Sequence, residues 1–201
     1  MDKRTKSLLI GLVLGDGHLN PRSGVTLEIE HGASQLTYLL YKKKLLEELL
    51  HCKPINVYYN KKKNTYKISK GHRYFRIIRQ WLYKNNIKVF NYKILKYLTP
   101  EAIALWYMDD GSHGIDRNKV TGKIRSHSFV LYTFTDLFST QNIIDYFYNV
   151  FDIKFYPINH KLNNKVGQYL RCRTKEGRKL SSLLRPYIIP EMEYKIMKIG
   201  E

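Results

Sequence analysis

The sequence predicts an α+β fold built from two similar halves, and three observations support that prediction. Two apolar runs share one pattern, Leu9 to Gly17 (LIGLVLGDG) and Ile103 to Gly111 (IALWYMDDG), and each ends in an acidic residue followed by glycine. The terminal acids, Asp16 and Asp110, lie 94 residues apart in a chain of 201. Segments with helical spacing and segments that alternate apolar and polar residues follow each run in the same order. A duplicated chain accounts for all three observations.

Each apolar run has the spacing of a buried helix. Ahead of the second run, Thr99, Pro100 and Glu101 form a typical helix start. Gly17 and Gly111 follow the two acids at positions where a residue in the left-handed conformation often ends a helix. The helix dipole disfavours a carboxylate at a helix C-terminus, so acids placed there indicate a nearby cation.

The spacing of small residues suggests how the two runs pack. Gly11 and Gly15 leave one face of the first helix bare, so another helix can approach it closely. If the runs pack side by side, Asp16 and Asp110 emerge together at one end and form a divalent-metal site, for which oxygen ligands favour magnesium. The alternative is that both acids are ordinary surface residues before a turn, since Asp-Gly is a common turn signal. Repetition of the pattern favours the paired site.

Amphipathic helices alternate with half-buried strands after each run. Val25 to Glu30 alternates apolar and polar residues, and Phe129 to Thr133 behaves similarly. Each half therefore runs helix, two strands, helix, two strands, helix, and offers an antiparallel sheet. The other predicted elements are a hairpin of Asn56 to Asn60 with Thr65 to Ser69, a hairpin of Ile153 to Ile158 with Tyr169 to Arg173 about a turn at Asn159 to Lys165, and helices at Ser34 to Leu50, Tyr74 to Tyr83, Thr140 to Phe151 and Arg178 to Leu184.

The two halves define the predicted domain organisation. An N-terminal repeat covers residues 1–96 and a C-terminal repeat covers residues 97–201, with Tyr97 to Pro100 as the crossing segment. Halves of about 100 residues are marginally stable alone, so we expect one joint core.

The charge of the chain indicates its partner. Lys and Arg total 35 against 17 Asp and Glu, which gives a formal charge of +18 and a pI of about 9.8. Such a balance suits a phosphate backbone. A membrane surface would also attract it, but the mean hydropathy is −0.43 and the longest apolar run is too short to cross a bilayer. Cys52 and Cys172 are isolated, which excludes a disulfide framework or zinc ribbon and is typical of a reducing compartment.

The order of these elements and three segments resemble the single-chain, two-motif branch of the LAGLIDADG homing endonucleases. The segments are LIGLVLGDGHL at the start, YLTPEAIALWYMDDGSH in the middle and LLRPYIIPEMEYKI at the end. The resemblance implies two pseudo-symmetric αββαββα repeats, packed through their motif helices, with each antiparallel sheet forming part of a saddle on the DNA major groove. It also implies a monomer that cuts both strands of a long asymmetric DNA target, leaves short 3′ overhangs and mobilises its host intron or intein.

The resemblance also implies which acids bind metal. Asp16 and Asp110 match the metal-binding acids of the family, with Gly15 and Asp109 beside them at the same centre. Asp109 has no acidic partner in the first copy, where Gly15 stands. A helical neighbour points about 100° away, so we expect Asp109 to cap or support the site rather than to ligate the ion. Mg²⁺ is the expected cofactor, Mn²⁺ is expected to substitute, and Ca²⁺ to support binding without cleavage.

The family places a basic residue near each active centre. Lys195 matches the C-terminal one. Two lysines compete for the other place: the family spacing favours Lys88, whereas comparison of Tyr194-Lys195 with Tyr92-Lys93 favours Lys93. We rank Lys88 ahead of Lys93, and the alternative for each lysine is plain solvation or contact with a phosphate.

A polar side chain at the end of the second strand often orients water in this family. His31 occupies that position, and the alternative is a hydrogen-bonded surface histidine. The equivalent stretch of the second copy, Tyr132 to Asp136, departs from the pattern and carries an extra residue. We therefore expect one centre to be less well organised than the other, with a preference for cutting one strand.

Base recognition is expected from the sheet face opposite the apolar one. Arg and Lys can pair with guanine, and Glu can accept from cytosine N4. A register slip of one residue would exchange this face for the buried one. The expected DNA-contacting residues are Thr26, Glu28, Glu30, Thr65, Lys67, Ser128, Tyr132, Lys154, Tyr156, Tyr169, Arg171 and Arg173 on strands, with Arg22, Lys61, Lys62 and Lys63 on loops.

Two other functions fit the same sequence. An RNA-binding maturase would use this scaffold to help its host intron splice, and a DNA-binding regulator would keep the fold without catalysis. Intact acids in both motifs and lysines near both argue against the regulator, but they do not exclude the maturase. Abundant Lys, Asn, Ile and Tyr fit an AT-rich genome, so we expect an intracellular protein of a mitochondrion, a chloroplast or a bacterial cytoplasm.

Overall fold

The computed structural model describes residues 1–22, 24–162 and 165–198. The N-terminal half contains α1 (Lys3–Leu14), β1 (His18–Asn20), β2 (Thr26–Gly32), α2 (Leu36–Leu50), β3 (Val57–Asn60), β4 (Thr65–Gly71) and α3 (Arg73–Leu82). A small insertion follows, with β5 (Tyr83–Lys84), β6 (Ile87–Lys88) and α4 (Tyr92–Leu95). The C-terminal half contains α5 (Pro100–Asp110), β7 (Gly111–Arg117), β8 (Ile124–Thr135), α6 (Leu137–Phe151), β9 (Tyr156–Leu162), β10 (Lys165–Arg173) and α7 (Thr174–Leu184). The predicted αββαββα order therefore occurs twice and is confirmed.

Each half has its own four-stranded antiparallel sheet. The strand orders are β1-β2-β4-β3 and β7-β8-β10-β9, so the sheets share one topology. In β2, Leu27, Ile29 and His31 are buried under α2, whereas Thr26, Glu28 and Glu30 alternate on the opposite face. This alternation confirms the predicted strand register in the N-terminal sheet. One face of each sheet lies against helices and the other carries polar side chains.

Helices α1 and α5 pack side by side at the centre of the molecule. A side chain at Gly11 would place its Cβ 2.5 Å from the carbonyl oxygen of Ala102, and one at Gly15 would collide with the Asp109 carboxylate. The two glycines therefore allow the helices to approach at backbone distance. At the other end of the pair, Thr99 caps α5 and its N–H donates to Ser7 Oγ at 2.8 Å.

A single hydrophobic core extends through both halves. It includes Leu9 and Leu12 of α1 and Trp106 of α5, and Phe90 stacks on Trp106 with ring centroids 5.5 Å apart. The expected joint core is thus confirmed, while a domain boundary after residue 96, between α4 and α5, stays a prediction. Among the described residues, no helix has both the length and the apolar character needed to cross a membrane.

The predicted left-handed ends of the motif helices are wrong. Among the glycines of the described ranges, positive φ angles occur at Gly24 and Gly122, whereas Gly111 has a φ of −86°. Gly17 and Gly111 are required for a different reason. A Cβ at either position would collide with a carbonyl oxygen of the preceding helical turn.

The predicted boundaries of the last hairpin also need correction. Strand β9 begins at Tyr156, not at Ile153, because Ile153 and Phe155 are buried, with the Phe155 ring 4.9 Å from that of Phe147 on α6. The predicted turn at Asn159 to Lys165 is mostly strand, since β9 runs to Leu162 and β10 starts at Lys165. Residues 163–164 of that predicted turn lie outside the described residues.

Candidate active site

The packing of α1 against α5 brings the predicted acids to one end of the molecule. Asp110 is the last residue of α5, and Asp16 follows α1 by two residues. The Asp109 side chain is fully buried, and its Oδ2 accepts the backbone N–H of Asp16 at 2.9 Å. Three carboxylates from the two repeats therefore lie together, which is the arrangement expected for the predicted paired metal site.

The crowding of these carboxylates changes their acidity. Burial, followed by the charges of Asp109 and Asp16, raises the pKa of Asp110 to about 7. Burial and the Asp109 charge also raise the pKa of Asp16. Neighbouring lysines oppose both shifts without cancelling them. Burial is the first cause of both shifts and the crowding of the carboxylates is the second, and a bound cation would oppose both.

A lysine contacts the end of each motif helix. Lys88 Nζ donates to the carbonyl oxygen of Gly15 at 2.8 Å, and Lys195 Nζ donates to those of Met108 at 2.6 Å and Asp109 at 3.1 Å. Gly15 and Asp109 precede the two acids, so the lysines occupy equivalent places in the two repeats.

The structure also separates the two lysines that competed for the N-terminal centre. Lys88 is partly buried, and its contacts with the end of α1 bring it to that centre. Lys93 is exposed on the short helix α4. The burial of Lys88 lowers its pKa, while the three carboxylates raise it. The structure thus brings together Lys88 and Lys195, and not Lys93.

His31 lies inside the site rather than on the surface. Its side chain is 3% exposed, and its Nδ1 lies 3.6 Å from Asp16 Oδ2 and 3.2 Å from Gln35 Oε1. Its Nε2 lies 3.0 Å from Lys42 Nζ. Because an ammonium group can only donate, Nε2 accepts and the ring proton sits on Nδ1, directed towards Gln35 and Asp16. Burial and the Lys42 charge lower the pKa of His31 to about 4, so the ring is neutral at pH 7.

Asp109 supports the site in the way that its helical position suggested. Its Oδ1 accepts from Lys42 Nζ at 2.5 Å while Oδ2 caps the Asp16 N–H. Ligand atoms of Asp16, His31 and Asp109 lie within 4.8 Å of one another, close enough to share an ion. Sequence reasoning missed Lys42. It interrupts the apolar stripe that Tyr38 and other residues form on α2, and a lysine in such a stripe is the signal that could have found it.

The second centre is built differently. Asp110 Oδ2 accepts from the indole Nε1 of Trp106 at 3.1 Å. Strand register places Thr133 where the first repeat has His31, and Thr133 Oγ1 donates to the carbonyl oxygen of Gln168 at 3.1 Å. The pairing of β8 with β10 shifts at this point: Gln168 pairs with Thr135 and Leu170 with Leu131, so β8 carries two extra residues where one was expected. The Asp110 centre thus has no histidine at this position.

The polar face of the N-terminal sheet holds the predicted DNA-contacting residues. Lys67 Nζ donates to Glu28 Oε2 at 2.8 Å, and Thr65 Oγ1 donates to Glu30 Oε1 at 2.5 Å. Thr26 lies on the same face of β2. The loop residues Arg22, Lys61, Lys62 and Lys63 are exposed.

The C-terminal sheet repeats this arrangement with one exception. Arg171 Nε donates to Ser128 Oγ at 2.7 Å, and the rings of Tyr132 and Tyr169 lie 5.4 Å apart. Arg173 pairs with Ser128 across the strands, and Tyr156 is exposed opposite Arg171. The exception is Lys154, whose predicted place on the strand face is wrong. It precedes β9, and its ammonium group lies 5.4 Å from the ring centre of Tyr148 on α6, in the helical layer.

The protein has two antiparallel sheets with polar faces, and helices join them. The ends of these helices bring carboxylates and lysines together. These features define a duplicated α+β protein with a paired acidic centre. Comparison with known proteins identifies the family of the chain. The model of the LAGLIDADG DNA endonuclease family matches residues 6–180. The chain belongs to that family, and the resemblance stated from the sequence is confirmed.

Curated relatives match along most of the chain. Protein RecA of Mycolicibacterium flavescens is 27% identical over 198 residues, and cytochrome b mRNA maturase bI2 of Saccharomyces cerevisiae is 29% identical over 208 residues. Each alignment covers 94% of this chain but 45% and 46% of the respective relative. The chain therefore spans about half the length of the curated relatives it matches.

Solved structures share the fold. The homing endonuclease I-WcaI, bound to its DNA recognition sequence, has a TM-score of 0.76 and 23% identity, and the match covers 98% of this chain and 87% of that one. I-DmoI in complex with DNA and calcium has a TM-score of 0.53 and 13% identity, with 94% and 95% covered. The predicted α+β architecture is thus a known one among DNA-bound homing endonucleases.

Proposed function

We propose that this protein is a site-specific endonuclease that hydrolyses one phosphodiester bond in each strand of double-stranded DNA. One observation carries the proposal. Asp16 and Asp110 lie at equivalent ends of two packed helices, and Lys88 and Lys195 donate to equivalent backbone carbonyls beside them. One acid and one lysine for each of two strands is the arrangement that double-strand cleavage requires. A formal charge of +18 supplies attraction to the duplex.

The polar sheet faces are proposed to contact the target. Glu28, Glu30 and Lys67 are held by hydrogen bonds to each other or to neighbouring strand residues. Arg171 is held in the same way by Ser128. Side chains fixed before binding lose less conformational entropy on contact with base edges. The two sheets differ in their side chains, so the proposed target is asymmetric.

The residues of the centre fit a divalent metal. Asp16 and Asp110 would hold it, and burial first and neighbouring carboxylates second raise the pKa of both groups, which a bound cation would oppose. Carboxylate oxygens favour Mg²⁺, with Mn²⁺ as a substitute and Ca²⁺ as a support for binding without cleavage. When bound, such an ion activates water and neutralises charge on the phosphoryl and leaving oxygens.

The lysines and the histidine of the centre have separate roles in the hydrolysis. The water oxygen forms a bond to phosphorus, the bond from phosphorus to the 3′ oxygen breaks, and that oxygen takes up a proton. Lys88 and Lys195 fix the helix ends that carry the acids and add positive charge beside the phosphates. His31 is neutral and presents Nδ1–H next to Asp16, where it can orient the attacking water.

Cleavage of the natural target tests the proposal. DNA spanning the uninterrupted allele of the host gene is incubated with the protein in Mg²⁺ or in Ca²⁺, and products are resolved on a sequencing gel. We expect double-strand cleavage in Mg²⁺ with short 3′ overhangs. Asp16→Asn or Asp110→Asn should slow it by at least about a hundredfold, since each removes a charge needed to hold the cation.

The matched control is Asp145→Asn on α6, whose carboxylate accepts from Gln141 instead of facing the centre. This variant should cut like the unaltered protein, and all three variants should bind the target in Ca²⁺. Tight binding without cleavage in any metal would refute the endonuclease and support a regulator or a maturase.

A maturase is the second candidate, because the yeast maturase relative matches 94% of this chain. Binding of the host intron RNA and acceleration of its splicing would establish that activity, alone or beside DNA cleavage. Mobility of the host intron or intein follows from the endonuclease proposal, whereas the proposed organellar or bacterial setting rests on the abundance of Lys, Asn, Ile and Tyr.

A further inference from the structure

A buried ion pair joins the two repeats beside the centre. Lys42 of α2 and Asp109 of α5 are each 0% exposed at the side chain, and Lys42 Nζ lies 2.5 Å from Asp109 Oδ1. Burial of two charges costs desolvation energy that their attraction does not always repay. Such a pair is therefore weak evidence for a stabilising role.

The pseudo-symmetry of the repeats shows that this pair occurs once rather than twice. Helices α2 and α6 end at equivalent left-handed residues, His51 with a φ of 45° and Asp152 with a φ of 52°. This alignment places Ile143 of α6, which is 0% exposed, at the position of Lys42.

The partner of the lysine shows the same asymmetry. Asp109 precedes Asp110 in the second motif, and the first motif has Gly15 at that position. The symmetry-related pair is therefore Ile143 with Gly15, an apolar pair without charge. The ion pair therefore occurs at one of the two positions related by the pseudo-symmetry and not at the other.

Contacts of the ion pair converge on Asp16. Asp109 Oδ2 accepts the Asp16 N–H at 2.9 Å, which fixes the backbone of the acid. Lys42 also donates to His31 Nε2 at 3.0 Å, which directs the Nδ1–H towards the side of Asp16. Asp110, by contrast, is the last residue of α5, and the indole of Trp106 donates to its carboxylate.

We propose that Lys42 is a positioning residue for the Asp16 centre. Together with Asp109 it orders the Asp16 backbone and sets the tautomer of His31, so this centre depends on the pair and the Asp110 centre does not. The inference rests on the proposed endonuclease function for its kinetic consequence. The strand served by Asp16 loses rate when the pair is removed, and the other strand keeps its rate.

The kinetic test uses the double variant Lys42→Met with Asp109→Asn, which removes both charges and keeps similar volumes. The asparagine oxygen can still accept the Asp16 N–H. A supercoiled plasmid that carries the target is incubated with the protein in Mg²⁺. End-labelling of either strand of the cleaved product then reports the cleavage rate of each strand. We expect one strand to slow at least about tenfold more than the other, with nicked circles accumulating, because small misplacements at a reacting centre are costly.

The slowed strand should be the one that His31→Ala also slows, since His31 Nδ1 lies 3.6 Å from Asp16 Oδ2. The matched control is Lys44→Met, which removes a charge from an exposed position of the same helix. It should leave the strand ratio unchanged. Equal slowing of both strands by the double variant would assign the pair a general structural role and overturn the proposal.

A second measurement does not need catalysis. Long-range ¹H–¹⁵N correlation spectra of the protein without metal report which nitrogen of His31 carries the proton. We expect the Nδ1–H form in the unaltered protein and in Lys44→Met, and a shift towards Nε2–H in the double variant. An unchanged His31 tautomer would overturn the positioning role. If the unaltered protein cuts no DNA, the endonuclease proposal fails while these spectra still decide the role of Lys42.

Discussion

Buried lysines define the site at the scale of single residues. Lys42 and Lys195 are 0% and 7% exposed, and Lys88 is also partly buried. Each donates to a carboxylate or carbonyl oxygen near Asp16 or Asp110. Their positive charges partly offset the carboxylates from inside the protein, so the centre keeps its acids close together before any cation binds.

The two cysteines should differ sharply in reactivity. Cys172 is 0% exposed, and burial raises the pKa of its thiol to about 12, whereas Cys52 is partly exposed. The thiolate is the reactive form, so its fraction at Cys172 is very small at pH 8. With Ellman's reagent at that pH, we expect one thiol per chain to react quickly and the second only after unfolding.

Cys52→Ser is the control for that experiment. It should abolish the fast phase and leave the slow one, because Cys172 is a fully buried residue of β10 in the C-terminal sheet. Rapid reaction of two thiols in the native protein would contradict the burial of Cys172.

Several site residues could be predicted from the sequence, and others could not. Asp16 and Asp110 follow from a repeated pattern, and Lys195 from the family resemblance of the last segment. The sequence ranks Lys88 ahead of Lys93 but does not decide which of them lies at the N-terminal centre. Their positions depend on the fold of the insertion between the repeats. Lys42 was missed since its partner is 67 residues away in sequence. Pairing at that separation cannot be seen locally, and the local sign of this residue was a lysine within the apolar stripe of α2.

At the scale of elements, the contact between α1 and α5 determines where the acids lie. Gly11→Ala should lower the free energy of unfolding by about 1–3 kcal/mol, because the new Cβ would lie 2.5 Å from the Ala102 carbonyl oxygen and the helices must separate. Urea unfolding followed by circular dichroism measures the change.

Gly71→Ala on β4 provides the control for the helix contact. Its Cβ would lie 3.7 Å from Thr26 Oγ1, an ordinary contact, so stability should be nearly unchanged. Equal stability of Gly11→Ala and Gly71→Ala would show that the helices do not pack at backbone distance.

Elements with a strong pattern were predictable, and those without one were not. The alternation in β2 gave the correct buried face, because α2 covers one side of the sheet and solvent the other. Strand β9 was placed too early, since Ile153 and Phe155 alternate like a strand but pack as loop residues against α6. Strands β5 and β6 contain two residues each, and so short a segment has no periodicity to detect.

At the scale of the whole molecule, charge should dominate binding to DNA. We expect target affinity in Ca²⁺ to fall by about 10³-fold or more between 50 and 200 mM salt, as it does for proteins that contact many phosphates. Replacing Lys61, Lys62 and Lys63 with glutamine should weaken binding and reduce the salt slope, because these lysines are exposed on one turn.

Fluorescence anisotropy with a labelled duplex measures both quantities, and Lys44→Gln serves as the control on a helix behind the sheet. A flat response to salt would contradict an interface built on phosphate contacts.

The single Lys42–Asp109 pair has a consequence for molecules assembled from two identical halves. A homodimer of the N-terminal half would bury two copies of Lys42 opposite two glycines, without the Asp109 partner of either. A homodimer of the C-terminal half would place two copies of Asp109 against isoleucine, without Lys42. At this position each half therefore complements the other and lacks that complement in a copy of itself. The intact centre thus draws on both repeats, although they are similar in fold.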